Sequence, residues 1–210
     1  GLEKKNINSL IIEAGTNNYS EDSQQNYKSK IIGDEMNDLK YSRLRQFGGT
    51  SGNWGGWCRP IERWNIQNWD LKPNELEKYS KHACKILEIN HDFKNSKISE
   101  YFNQIKFQYS NVRFAEKFGE HIKRSKLIDL CLNTQVVNFN GHNGVFKQAE
   151  IISGKKIFFV KSKFFVLACG GIENSRILLW SKLISKNSFL NNLKIGNYWM
   201  EHPSGQIGQM

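Results

Sequence analysis

An α/β fold is the class this chain predicts, and three observations carry the prediction. The segment "KSKFFVLACGGIENSRILLWSK" reads as a strand, a glycine turn and a helix. Phe164 to Ala168 form a continuous apolar run of the kind found in strands buried on both faces. Gly170 and Gly171 make the turn, and Glu173 to Trp180 begin a helix with Ile177 and Leu178 inward. Near the amino end, "NINSLIIEAGTNN" reads as a short buried strand, Ser9 to Ile12, that ends in Glu13, Ala14 and Gly15. Between these two segments lies β material: Leu127 to Leu132, Gln135 to Phe139, a turn at "NGHNG", Phe146 to Ile152, a turn at Gly154, and Lys156 to Lys161.

The remaining elements follow from local signals. Thr16 to Lys40 is polar and without period, which predicts a surface excursion. Pro73 opens a helix to about Ile89 with Leu76, Tyr79, Ala83, Ile86 and Leu87 on one face and His82 at its rim. A second helix is predicted from Arg113 to Ser125. No fixed-period repeat is visible.

Composition excludes several classes. The 13 Phe, 7 Tyr and 6 Trp supply apolar area that a disordered chain lacks. No run approaches the ~18 apolar residues of a membrane-spanning helix, so no transmembrane segment is predicted. The net charge of +10 raises a non-enzymatic basic binding module as an alternative reading. The lysines are scattered rather than set in blocks, so no nucleic-acid partner is expected. Cys58, Cys84, Cys131 and Cys169 form no CxxC and no Cys/His cluster, which disfavours zinc. Cys58, Cys131 and Cys169 stand in apolar or aromatic settings and read as small buried hydrophobes, a usage that favours the cytoplasm while leaving the compartment open.

The stretch "RQFGGTSGNWGGWCRP" sets Gly48, Gly49, Gly52, Gly55 and Gly56 beside Trp54 and Trp57, with Arg45 ahead and Arg59 behind. Glycine at this density suits a ligand touching main chain. A serine-hydrolase elbow around Ser51 is disfavoured, because GxSxG needs glycine where Asn53 stands. His82, His91, His121, His142 and His202 show no HExxH spacing. Glu13 at a strand end matches the acid that takes ribose hydroxyls in a Rossmann βαβ unit, ~20 residues after a glycine fingerprint. Twelve residues precede Glu13, so that fingerprint is expected upstream of them.

Taken in chain order, the "EAG" strand end, the Arg45 and "GGTSGNWGG" loop, "NTQVVNF", "LACGGIENSRILL" and "IGNYWMEHPSG" resemble the glucose-methanol-choline oxidoreductases, flavoenzymes that oxidise alcohols and sugars with FAD. The resemblance spans nearly the whole chain. It implies that Glu13 holds the adenosine ribose and that Arg45, Gly48, Gly49, Thr50, Ser51 and Gly55 line the pyrophosphate and flavin. It further implies that Val136 takes the adenine through its backbone, that Ala168 and Gly170 close over the cofactor, and that His202 and Pro203 lie near the flavin. The implied fold is a partial FAD/NAD(P)-binding Rossmann-like domain across 1–210, with 62–126 a helical cap or substrate-side insertion.

Two departures shape the expectation. The pair Asn53 and Trp54 is closer to the pyranose-oxidase-like branch, where a histidine precedes the tryptophan and can bond the flavin covalently. Asn53 has no such nucleophile, so FAD is expected to be non-covalent. The family's catalytic histidine and its partner align beyond Met210, which leaves the catalytic residues unknown and His202 outside that role. The implied reaction is oxidation of a CH–OH group of a sugar or other alcohol, with hydride passing to the flavin and oxygen, a quinone or a cytochrome as the final acceptor. The 210 residues alone are expected to be inactive. Another FAD enzyme of the same nucleotide fold is the enzymatic alternative.

Overall fold

The computed structural model describes residues 1–33, 38–67, 69, 71–185 and 188–200. In chain order its elements are β1 (Ser9–Ile12), α1 (Glu21–Gln24), α2 (Leu39–Ser42), β2 (Trp57–Cys58), α3 (Pro73–Leu87), β3 (Ser96–Lys97), β4 (Asn103–Gln104), β5 (Gln108–Tyr109), α4 (Phe114–Arg124), β6 (Ile128–Cys131), β7 (Thr134–His142), β8 (Val145–Ser153), β9 (Lys156–Lys161) and α5 (Gly171–Ile184). The architecture is mixed α and β with small sheets. Strand β1 pairs with β6, and the Ser9 N–H to Leu127 and Glu13 N–H to Cys131 bonds advance in the same sense on both strands, which makes the pair parallel. The pairs β2–β5 and β3–β4 and the β7–β8–β9 meander are antiparallel. The chain divides into two compact units, one of 1–9 and 17–129, the other of 10–16 and 130–210.

In the first unit, Phe47, Cys58, Ile66, Cys84 and Val112 are buried. The predicted polar excursion contains a buried side chain: Gln24 donates to the carbonyls of Lys40 and Arg43 at 2.5 Å each and accepts the Arg45 N–H at 3.0 Å. Helix α3 starts at Pro73, whose fixed φ and missing N–H suit a first helical position. Its inward face differs from the expectation. Tyr79 and Ala83 are exposed, whereas Cys84, which the expected face leaves out, is buried. The more buried residues are Leu76, Ser80, Cys84, Ile86 and Leu87, which keeps the helical spacing and three of the expected residues but admits the small side chains of Ser80 and Cys84. Helix α4 is capped by Arg113 and Ser125, the two residues expected as its ends.

In the second unit the core is Phe139, Ala149 and Ile177, with Val136, Phe146, Phe165 and Leu167 packed against it. Alternation along β7 and β8 places Phe139 and Ala149, which are register partners, on one face, and α5 covers that face. Burying Phe139 contributes about 1.5–3 kcal/mol, and its edge-on contact with Phe165 at 5.4 Å adds to it. Ser181 is fully buried yet satisfied, since its hydroxyl accepts the Phe139 N–H and donates to the Ile177 carbonyl.

One turn, one strand and one burial expectation need correction. The "NGHNG" segment does not turn as a whole: β7 runs through Gly141 and His142, and the chain reverses at Asn143 and Gly144, with φ of 49° and 76°. Phe164 to Ala168 form no strand. Phe165 and Leu167 reach the core, while Phe164 and Val166 are 85% and 84% exposed. A ladder needs a neighbour, and among the described residues none lies beside this run. Cys169 is exposed, because it ends its apolar run at the glycine turn, and Cys131 is half-buried at the end of β6; the buried thiols are Cys58 and Cys84.

Candidate functional site

The residues singled out by sequence fall into two groups, one in each unit. In the first unit, Gly48 and Gly49 take left-handed φ of 86° and 55° and lead into a single 3-10 turn, Gly49–Gly52. Five glycines here do different work. A Cβ on Gly48 would stand 2.8 Å from the Ala115 nitrogen at the start of α4, and one on Gly56 would stand 2.3 Å from the Ser110 carbonyl oxygen. These two are demanded by packing. Gly49 faces open space, so its backbone is the part of the turn that a ligand can approach.

The polar side chains of the loop are fixed from within. The Thr50 hydroxyl accepts the Leu44 N–H at 3.2 Å. Ser51 Oγ donates to the Gly48 carbonyl at 2.6 Å and accepts the Phe114 N–H at 3.2 Å, stitching the turn to α4. The Trp54 indole donates to the Val112 carbonyl at 3.0 Å. Arg45 is half-buried and its Nη1 donates to Ser23 Oγ at 2.8 Å. Asn53 and Gly55 are exposed. Ser23 and Gln24 were not singled out from sequence. Both lie in the polar stretch, and nothing in their spacing marks them as the partners that orient Arg45.

In the second unit, β1 delivers Glu13 to the end of a parallel strand. Its Oε1 accepts the Gly15 N–H at 2.7 Å, and its own N–H and carbonyl are bonded to Cys131 and Thr134. Val136 pairs with Ile151, and the register then skips Val137, a bulge that takes one backbone unit out of the ladder. Gly170 has φ of 84° with open space where a side chain would stand, and α5 begins at the next residue. Asn174 clamps this turn, accepting the Cys169 N–H at 3.0 Å and donating to the Leu167 carbonyl at 3.2 Å. That role follows from a position on the first turn of α5, which sequence spacing alone did not reveal. Cys169 is exposed as a whole residue, yet desolvation is the main cause that pushes its thiol pKa up, with the Glu13 and Glu173 carboxylates pushing the same way. His202 and Pro203 lie outside the described residues.

A held carboxylate can accept from a vicinal diol, and an open glycine turn at a helix start suits a phosphate. Among the described residues no group of three or more His, Cys, Asp or Glu is placed to hold a metal ion, and no helix is long and apolar enough to cross a membrane. No known family profile matches the chain, and no curated protein matches it.

Proposed function

We propose that this chain carries the FAD-binding part of an oxidoreductase that acts on CH–OH groups of a sugar or other alcohol. The observation that carries the reading is the second unit's assembly of a parallel strand, a held Glu13 carboxylate and the open Gly170 turn at the start of α5. In this reading Glu13 accepts hydrogen bonds from the ribose hydroxyls, and the Gly15 N–H fixes the carboxylate before the ligand arrives. Val136 and the neighbouring bulge present backbone to the adenine. The Gly170 turn admits the cofactor close to main chain, with the positive end of α5 behind it. In the first unit Arg45 and the open Gly49 backbone are groups that suit phosphate oxygens, while Ser51 and Trp54 hold the loop's shape. FAD, when bound, supplies the acceptor for the hydride that leaves the alcohol carbon. The proton-accepting residue is not assigned to this chain.

The test is FAD affinity of the full-length protein with Glu13→Ala. A charge-assisted hydrogen bond to a buried partner is worth roughly 1.5–3 kcal/mol, so Kd should rise about tenfold or more. Unchanged affinity would make Glu13 a strand terminator and remove the ribose site.

A further inference from the structure

Strand β9 is the outer strand of the β7–β8–β9 sheet, and its residues are apolar on both faces. Phe158 and Val160 pair with Ile151 and Ala149 and so share the core side, while Ile157 and Phe159 take the other. Ile157, Phe158 and Phe159 are 57%, 46% and 58% exposed. Among the described residues no strand pairs with this outer edge, which therefore combines open backbone donors and acceptors with an exposed apolar strip. Lysines bracket it: Lys155 and Lys156 at one end, Lys161 and Lys163 at the other, all exposed. No carboxylate stands within ion-pair distance of these four among the described residues.

We propose that the outer edge of β9 docks an extended protein segment with an apolar centre and acidic flanks, which adds to the sheet as a fourth strand. Edge pairing satisfies the free backbone groups and extends the core-side strip over Phe158 and Val160. The charge pattern selects the occupant. A second copy of β9 would set lysine against lysine, whether the two strands ran parallel in register or antiparallel about a common centre, and like charges opposed across strands are destabilising. A lipid surface would attract the lysines and aromatics but would leave the backbone edge without partners in hydrocarbon. An acid-flanked strand answers both the edge and the four lysines.

The test uses the full chain and two dye-labelled, end-blocked peptides, Glu-Val-Phe-Val-Ile-Glu and its counterpart with lysine at both ends. The acidic peptide should bind about tenfold or more tightly than the basic one at low salt, with the preference shrinking as salt rises. Amide exchange should slow along Ile157 to Lys161. Lys156→Glu with Lys161→Glu should invert the preference, with the sheet's circular dichroism retained; if that variant fails to fold, the peptide comparison on the unaltered chain decides. Equal or absent binding of the two peptides overturns the proposal. So does self-association abolished by the double variant, or binding of anionic phosphatidylserine vesicles without binding of the acidic peptide.

Discussion

At the scale of single residues, the glycine loop separates structural need from ligand access, and the two make opposite predictions. Gly56→Ala would drive a Cβ into the Ser110 carbonyl at a left-handed φ of 73° and should cost about 2 kcal/mol or more, read as a lower denaturation midpoint. Gly49→Ala meets nothing and should cost only the ~1–2 kcal/mol of its left-handed backbone, while weakening FAD if the proposed approach is right. Equal losses for the two would mean that Gly49 also packs. Asn53 makes a second prediction. Its amide lone pair is delocalised into the carbonyl, so it cannot take the place of a histidine nitrogen in a bond to flavin. Acid precipitation of the full-length holoprotein should release the yellow colour to the supernatant. Colour kept in the washed pellet would place the bond on another residue and redraw the loop's alignment with the flavin.

At the scale of elements, the chain's start is tied to the end of α4 by one carboxylate. Glu3 accepts from the Ser125 hydroxyl at 2.6 Å and lies 2.6 Å from His121 Nε2. The Ser125 bond first, then the His121 bond, hold its pKa below the usual 4.5. A depressed carboxylate contributes stability above its ordinary pKa and loses it as pH falls through the lowered one. The stability gap between the unaltered chain and Glu3→Gln should therefore close below about pH 4.5. A gap that persisted into stronger acid would show that the Ser125 contact does not depend on charge. Elements were legible where the signal is local. Pro73 opened α3, Gly154 closed β8, and the Lys156–Lys161 strand has the bounds its pattern predicts. Phe164 to Ala168 were misread because apolar continuity reports a capacity to be buried, whereas a strand also requires a neighbouring edge, which no residue in the run encodes.

At the scale of the whole molecule, the class was legible and the partnerships were not. The strands β1, β6, β7, β8 and β9 and the glycine-opened helix α5 were each written in a short stretch, but the parallel pairing of β1 with β6, which joins residues far apart in the chain, was not. Arg45's support by Ser23 and Gln24, the Asn174 clamp and the bulge after Val136 arise from residues brought together by folding, with no spacing rule to announce them. The central proposal is that the protein carrying this chain is a flavoenzyme for alcohols. Its most direct test is the visible spectrum of the full-length protein under anaerobic conditions, before and after a panel of sugars and simple alcohols is added. Flavin absorbance is expected on the purified or FAD-reconstituted protein, bleached by at least one of these substrates. A protein that stays colourless and takes up no FAD, or one whose flavin no alcohol in the panel reduces, would contradict it.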